Sequence, residues 1–362
     1  MVDSVGTSIG LVAETKDGER RVALDPSAVA LLARRGNRVL VQAGAGTGAG
    51  FDDTDYKEAG ALVVPEAADA WAADVVVKVK EPQPAEWGHF RAGLRLFCYL
   101  HLAAEPALTR ALQEAGVEAH AFETVTDRHG LPLLAPMSEI AGRAAAIMGA
   151  AALAQGNGTL LGGAAGVPPA RVVVLGLGVA GTMAARGARG MDAEVLGVDV
   201  DLHRLWTAHQ AGTVTGTLAS TPQSVADAVA AADLVVGAAL VPGARAPVVV
   251  TEEMVAAMRP GSVVVDLAID QGGCIATARP TSHSRPTYLQ HGVVHYCVTN
   301  VPGQYPRTAS RALSAAVAPY AQLLVTDPAD ERLAGSLNVA GGDVVHPAVA
   351  AALARAGGGG AA

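Results

Sequence analysis

The chain has 362 residues, which is long for one hydrophobic core and suits two domains. Its formal net charge of −8 argues against a nucleic-acid partner, because binding to phosphate backbones depends on clustered Lys and Arg. Hydrophobic residues make up 51% of the chain and aromatic residues only 4%, so we expect a core built mainly from Ala, Val and Leu. That composition suits helices that cover a buried parallel sheet.

Cysteine content and apolar run lengths predict a soluble, cytoplasmic protein. The three cysteines, Cys98, Cys274 and Cys297, are odd in number and show no CxxC spacing, so we expect neither a disulfide framework nor a metal site. The first residues have no basic start followed by an apolar core, and no segment offers about 18 uninterrupted apolar residues. We therefore expect no export and no membrane association.

Short apolar runs alternate with helical patterns in the first third of the chain. A helix is expected to start at Asp25 as N-cap with Pro26 in its first turn, and to end at Gly36 in the left-handed conformation. Strands are predicted at residues 9–13, 38–42, 75–79, 94–99 and 118–122, and further helices at 65–73 and 104–115. This alternation is typical of an α/β layer architecture.

A second alternation follows a long predicted helix at 138–155 and a glycine-rich connector at 156–166. Strands are predicted at 171–175, 194–199, 234–237 and 262–266, and helices at 180–189, 202–211 and 252–258. The alternation ends near Asn300, and helical patterns return at 308–324 and 347–355. Because these late helices are too few for a core of their own, we expect them to return to the first domain.

The strongest local signal is a glycine motif between the predicted strand at 171–175 and a helix. In it, Gly176 permits a tight turn, Gly178 lets backbone approach a pyrophosphate, and Gly181 lets helix and strand pack closely. The helix N-terminus then offers free N–H groups to phosphates. The alternative is a glycine-tightened turn without a ligand, but the strand and helix on either side favour a dinucleotide site.

Asp199 ends the next predicted strand, where a carboxylate can accept hydrogen bonds from ribose hydroxyls. It would repel a 2′-phosphate, so the sequence favours NAD over NADP, although nearby Arg204 weakens that preference. We therefore predict an α/β fold with two Rossmann-like domains and parallel sheets. The NAD-binding domain at 136–305 is inserted into a discontinuous substrate domain at 1–135 and 306–362, with a hinge at the two crossovers.

Several polar residues near predicted strand ends are candidates for substrate chemistry. Lys78 and Lys80 would share one face of a strand, where they indicate either an anion site or a solvated edge. His101 could exchange protons near neutral pH, although a lone histidine is more often structural. Arg21 could bind a carboxylate or lie on the surface, and Asp270 before two glycines could be catalytic or a turn residue.

Six ordered segments then carry a resemblance to a known family. They are residues 14–25 (ETKDGERRVALD), 78–82 (KVKEP), 97–103 (FCYLHLA), 133–143 (LLAPMSEIAGR), 240–247 (LVPGARAP) and 264–274 (VVDLAIDQGGC). Together they resemble the alanine dehydrogenase family, which is related to the NAD-binding subunit of proton-pumping transhydrogenases. The resemblance extends over nearly the whole chain, to residues 337–339.

The resemblance implies a function and a set of roles. It implies that Arg21 holds the substrate carboxylate, that Lys80 assists there and at the carbonyl, and that His101 and Asp270 are the catalytic acid/base groups. It implies reversible oxidation of L-alanine by NAD to pyruvate and ammonia, in a homo-oligomer that is expected to be a hexamer. Further residues that it places along the NAD molecule are Ser138, Ser220, Leu240 and Asn300.

Other functions remain open on the sequence alone. The same scaffold could oxidise another small amino acid or reduce another 2-oxo acid, which a panel of substrates would separate. A transhydrogenase-like dinucleotide-binding subunit would require a tethering or transmembrane segment. The joint presence of Arg21, Lys80, His101 and Asp270 favours complete amino-acid chemistry over that subunit and over a catalytically inactive NAD sensor.

Overall fold

The computed structural model describes residues 7–128, 130–239 and 246–358, and these form two compact units. The described parts of Met1–Met137 and Tyr305–Ala362 make up the first unit, and those of Ser138–Gln304 make up the second. Each unit is built on its own β-sheet, with helices between most successive strands. Within the described residues, no helix combines the length and apolar character needed to cross a bilayer.

Strands alternate with helices along most of the described chain. The strands are β1 (Ser8–Leu11), β2 (Arg38–Gln42), β3 (Leu62–Val64), β4 (Val75–Val77), β5 (Arg95–Cys98), β6 (Glu118–Ala121), β7 (Arg171–Leu175), β8 (Glu194–Asp199), β9 (Gly216–Ala219), β10 (Leu234–Gly237), β11 (Val263–Asp266), β12 (Thr287–Gln290), β13 (Val293–Tyr296), β14 (Leu337–Ala340) and β15 (Asp343–Val344). The helices are α1 (Pro26–Arg34), α2 (Asp53–Glu58), α3 (Ala67–Trp71), α4 (Pro106–Glu114), α5 (Ala135–Gln155), α6 (Val179–Arg189), α7 (Leu202–Gln210), α8 (Pro222–Ala231), α9 (Glu252–Ala256), α10 (Pro306–Thr326) and α11 (Pro347–Gly358).

The sheet of the first unit has the strand order β15-β14-β6-β5-β4-β1-β2-β3. Strands β1 to β6 pair in parallel, whereas β14 is antiparallel to β6 and β15 is antiparallel to β14. The chain reverses its direction of winding between β1 and β4. In such sheets ligands bind outside the carboxyl ends of the strands at this switch point, so the loops after β1 and β4 are the first place to look for a site.

The sheet of the second unit has the order β12-β13-β11-β10-β7-β8-β9. Its strands pair in parallel except for the antiparallel edge pair β12 and β13. The switch point lies between β7 and β10, beside the glycine motif. The predicted α/β fold is therefore confirmed. The sheets were predicted to be parallel and are mostly so, and their antiparallel edge strands were not predicted from the sequence.

Local chemistry explains where the elements begin and end. The side chain of Asp25 accepts a hydrogen bond from the N–H of Ala28 at 2.9 Å, Pro26 opens α1, and Gly36 follows the helix at φ 87°. These three assignments were predicted and are confirmed. The valines of β4 are fully buried, as expected for a strand covered by helices on both faces.

Several elements differ from the sequence-based expectations. Strand β4 ends at Val77, two residues earlier than predicted, and α5 begins at Ala135 because Pro136 is compatible with a first helical turn. The short or half-exposed elements lack a strong hydrophobic period and were not predicted. They are α2, β3, β9, α8, β12, β13, β14 and β15.

Strand β6 contains a histidine that should make the fold sensitive to acid. His120 is 3% exposed, and its Nδ1 lies 2.8 Å from Oγ of Ser336 on the neighbouring strand segment. Burial, with a smaller effect from the charge of Arg95, lowers the pKa of His120 from 6.5 to about 4. The unfolded chain therefore binds this proton first, and the folded state loses relative stability as pH falls from about 6.5 toward 4.

We predict that replacing His120 by glutamine reduces this acid sensitivity. Between about pH 7.5 and pH 5, the free energy of unfolding should fall by about 2 kcal/mol less in His120→Gln than in the unmodified protein. Urea unfolding at the two pH values measures the difference. His283→Gln, which changes an exposed histidine, is the matched control. An equal loss of stability in His120→Gln and the unmodified protein would contradict the prediction.

Candidate active site

Polar residues collect at one edge of the first sheet, where neighbouring parallel strands end. Arg21 lies in the segment after β1, Lys78 and Lys80 follow β4, His101 follows β5, and Glu123 follows β6. Because β1, β4, β5 and β6 are adjacent and parallel, their carboxyl ends share this edge. The site candidates of the first unit therefore lie on loops around the switch point.

Arg21 is buried and firmly oriented by a carboxylate. It is 2% exposed, and its Nε and Nη2 donate to the two oxygens of Glu19 at 2.7 and 2.6 Å. Burial would raise the pKa of Glu19, but the hydrogen bonds and charge of Arg21 outweigh it and lower that pKa to about 2. The surface-arginine interpretation is wrong for Arg21, and it is Arg20 that is exposed.

Lys78 is an internal counter-ion. It is 0% exposed, and its Nζ lies 2.9 and 3.0 Å from the two oxygens of Glu86 and 3.6 Å from Glu14. The regular strand β4 ends at Val77, although the N–H of Lys78 still donates to the carbonyl of Phe97 on β5 at 3.2 Å. Lys78 and Lys80 differ in burial and in ion-pair partners. Lys78 therefore belongs neither to a solvated edge nor to an open anion site.

Lys80 is half-buried and differs from Lys78 in lacking a counter-ion. Among the residues that the structure describes, none forms an ion pair with its ammonium group. Burial lowers the pKa of Lys80, and the positive charge of Arg21 lowers it further. A desolvated ammonium group near a guanidinium group favours the arrival of an anion, because an anion would relieve both effects.

His101 lies in a constrained loop next to an aromatic ring. Its φ of 50° is in the left-handed region, which non-glycine residues adopt rarely and often at functional sites. The N–H groups of His101 and Leu100 donate to Glu123 at 2.7 and 3.2 Å. The imidazole stacks on Tyr99 with ring centroids 6.1 Å apart, and it is exposed. Glu123, which holds this loop, was missed at the level of sequence.

The glycines of the second unit meet the geometric demands of a dinucleotide turn. Gly176 has a φ of 90°, and a Cβ on Gly181 would lie 1.8 Å from the carbonyl oxygen of Gly176. A Cβ on Gly178 would meet nothing closer than Nη1 of Arg204 at 4.0 Å, so the space beside this backbone is open. The first and third glycines are required by the fold, whereas the second leaves room for a ligand.

Asp199 connects the glycine turn to the end of β8. It is buried, and its two oxygens accept hydrogen bonds from the N–H groups of Leu177 at 2.6 Å and Asp201 at 2.9 Å. Nη1 of Arg204 lies 3.8 Å from the same carboxylate. These features fit a dinucleotide: there is open space beside Gly178, a helix N-terminus that suits phosphates, and a fixed carboxylate that suits a ribose.

The structure brings Asp270 and Asn300 together. Asp270 is exposed in the short helical turn Ile269–Gln271, and both its oxygens lie 3.3 Å from the N–H of Asn300. Gly272 follows at φ 94°, so the residue does lie in a turn, as one of the two interpretations expected. Asn300 itself has a φ of 52°. The turn geometry leaves the carboxylate of Asp270 accessible.

A second carboxylate, Asp266, supports the loop of Asp270 and was missed. It ends β11, is buried, and accepts N–H groups of Ala268, Cys274 and Ile275 at 2.9, 2.9 and 3.1 Å. Burial raises the pKa of Asp266, although these hydrogen bonds act in the opposite direction and lower it. The sequence could have indicated this supporting role, because an aspartate that ends a run of valines is rarely buried without a partner.

The remaining predicted cofactor residues are placed as follows. Ser138 lies in the first turns of α5, and Ser220 follows β9 and donates its N–H to the carbonyl of Asp199 at 3.0 Å. Leu240 lies outside the described residues. No group of three or more His, Cys, Asp or Glu side chains in the described ranges could hold a metal ion.

Comparisons with known proteins cover both units. The family models described as "Alanine dehydrogenase/PNT, N-terminal domain" and "Alanine dehydrogenase/PNT, C-terminal domain" match residues 10–141 and 144–347. The alanine dehydrogenase of Bacillus subtilis (strain 168) is 49% identical over 94% of this chain and 93% of its own length. A solved L-alanine dehydrogenase superposes with a TM-score of 0.92 at 47% identity, covering 96% and 99% of the two chains. For a transhydrogenase from Sinorhizobium meliloti the TM-score is 0.83 at 31% identity, with 94% and 99% covered.

The glycine geometry predicts opposite effects for two alanine substitutions. Gly181→Ala should lower the melting temperature, because its Cβ would collide with the carbonyl of Gly176. Gly178→Ala should leave the melting temperature unchanged, since its φ of −69° suits alanine and the space is open. It should weaken dinucleotide binding at least about tenfold, because the methyl group occupies the space that a phosphate needs. Calorimetry measures both effects, and unchanged binding in Gly178→Ala would contradict the assignment.

Proposed function

The chain belongs to the alanine dehydrogenase family, and on that premise we propose that it catalyses the reversible NAD-dependent oxidative deamination of L-alanine to pyruvate and ammonia. The family resemblance noted in the sequence is confirmed. The observation that carries the proposed activity is the pair of cations at the switch point of the first sheet. Arg21 is buried and oriented, and Lys80 is half-buried and forms no ion pair with any residue in the described ranges.

The cation pair supports binding of a small carboxylate. We assign the substrate carboxylate to the guanidinium group of Arg21, which the bidentate contact with Glu19 holds in one orientation. The ammonium group of Lys80 would add a second positive charge at the carboxylate and at the carbonyl oxygen of the oxo acid. L-alanine and pyruvate share that carboxylate, so one cation pair serves both directions of the reaction.

Proton transfers are assigned to His101 and Asp270. Loss of the Cα hydride to NAD and of one ammonium proton to solvent would leave an iminium at Cα, to which water then adds. His101 would take a proton from the attacking water and return one to the departing amine, since an imidazole can both accept and donate a proton. Asp270, whose carboxylate is exposed in its turn, is the second acid/base group. Ammonia and pyruvate are released, and the reverse sequence is reductive amination.

The dinucleotide site is assigned to the second unit, and NAD is the proposed cofactor. NAD held there would supply the acceptor for the hydride that leaves Cα of the substrate. Gly178 and the start of α6 would face its phosphates, and Asp199 would accept hydrogen bonds from the ribose. Asp199 would repel the 2′-phosphate of NADP, and the positive charge of Arg204, at 3.8 Å from Asp199, would weaken that repulsion. Ser138, Ser220, Leu240 and Asn300 remain proposed contacts with the same cofactor.

Further proposals concern the domain boundaries, the oligomeric state and the cellular location. We assign the substrate site to residues 1–135 and 306–362 and the NAD site to residues 136–305, as expected from the sequence. We also propose a homohexamer in the cytoplasm, supported by the family resemblance and by cysteines that are free and buried.

Two alternative activities compete with alanine oxidation. One is oxidation of another small amino acid on the same scaffold, because the cation pair recognises the carboxylate and not the side chain. The other is a transhydrogenase-like subunit, which the Sinorhizobium meliloti structure suggests at 31% identity. The higher identity of 47% to an L-alanine dehydrogenase structure favours the amino-acid reaction.

The proposal predicts that His101→Ala loses turnover but retains the cofactor. The rate of NAD reduction with L-alanine should fall at least about 100-fold, because proton transfer by a positioned side chain contributes at least that much. The affinity for NADH, measured by calorimetry, should be unchanged. His283→Ala, at an exposed position, is the control and should retain full activity. Unimpaired turnover in His101→Ala would contradict the assignment.

A panel of amino acids in the same assay tests the substrate. L-alanine should give the highest kcat/KM among glycine, L-serine, L-valine and L-alanine. A higher kcat/KM with another member of the panel would favour the alternative amino-acid activity. Hydride transfer between two dinucleotides without any amino acid would favour the transhydrogenase alternative.

A further inference from the structure

The carboxylate of Glu14 is buried between the loops that follow β1 and β4. The side chain is 3% exposed. Its Oε1 accepts the N–H of Val79 at 2.5 Å, and its Oε2 accepts the N–H of Lys80 at 3.2 Å. Both oxygens therefore accept from two consecutive N–H groups of the segment that carries Lys80.

Neighbouring contacts fasten the same two segments together. Oγ of Thr15 donates to Glu86 at 2.6 Å, and Lys16 forms an ion pair with Glu81. Lys78 lies between Glu14 and Glu86 and supplies the positive charge that a buried pair of carboxylates requires. The segment 14–16 thus contacts the segment 78–86 at three successive positions, and Glu14 is the one that contacts the backbone of Lys80.

We infer that Glu14 is a positioning residue for Lys80, which it holds toward the substrate carboxylate through its backbone rather than its side chain. The inference rests on the function proposed above. Lys80 could not be fixed by an ordinary ion pair, because a counter-ion at its ammonium group would compete with the substrate. A carboxylate that binds the backbone of Lys80 fixes the residue and leaves its charge available.

The arrangement requires a carboxylate and not an amide at residue 14. A carboxylate offers acceptors on both oxygens, whereas glutamine presents one acceptor oxygen and one NH₂ group. In Glu14→Gln the NH₂ group would face one of the two backbone N–H groups, and that N–H would lose its partner. The loop should then move, and Lys80 with it, while Glu19 continues to hold Arg21.

The test compares substrate and cofactor parameters in Glu14→Gln. The KM values for L-alanine and pyruvate should rise about tenfold, as expected for loss of one charged hydrogen bond at a binding loop. The kcat should change less than about threefold and the NADH dissociation constant should not change. Asp17→Asn is the matched control, since it makes the same change from carboxylate to amide at an exposed position directly after that segment.

A second variant covers the case in which Glu14→Gln does not fold. Glu14→Gln with Lys78→Met removes a buried negative and a buried positive charge together, and Glu86 keeps donors from Thr15 and Gln83. It should show the same rise in KM, about tenfold. An unchanged KM in a folded Glu14 variant would overturn the inference. Absence of amino-acid turnover in the unmodified protein would instead overturn the proposed function, and calorimetric titration with pyruvate would then test the effect of Glu14 on anion binding.

Discussion

Carboxylates that accept backbone N–H groups fix the loops at the carboxyl ends of both sheets. Loops at this edge leave N–H groups without strand partners, and a desolvated N–H without an acceptor is costly. A buried carboxylate without donors is costlier still, so each pairing satisfies both groups. The four cases are Glu14 with Val79 and Lys80, Glu123 with Leu100 and His101, Asp199 with Leu177 and Asp201, and Asp266 with Ala268, Cys274 and Ile275.

The cations of the first unit have different surroundings and therefore different roles. Lys78 forms ion pairs with Glu86 and Glu14 inside the fold. The backbone of Lys80 is instead fixed by Glu14, which leaves the charge of Lys80 available. Arg21 is oriented by two hydrogen bonds to Glu19. A pair of like charges near one another persists only where the surrounding fold holds them in place, as in a site prepared for an anion.

The sequence predicted the regular parts of the fold and the parts of the site that depend on local spacing. The glycine turn, its strand and helix, and the α1 cap at Asp25 follow from contacts within a few residues. The different surroundings of Lys78 and Lys80 were not predicted, because the partners of Lys78 are Glu14 and Glu86 on other segments of the chain. The contact of Glu14 with Val79 spans 65 residues, and no local pattern reports it. Half-exposed β9 was missed because its apolar alternation is weak.

The product balance of the reaction tests the central claim most directly. The purified protein is incubated with L-alanine and NAD, and NADH, pyruvate and ammonia are each quantified over time, with NADP in a parallel reaction. We predict that the three products appear in equal amounts and that NAD supports a faster reaction than NADP. Formation of NADH without matching pyruvate and ammonia, or no reaction with L-alanine, would contradict the claim that the cations of the first unit bind alanine for oxidation by NAD.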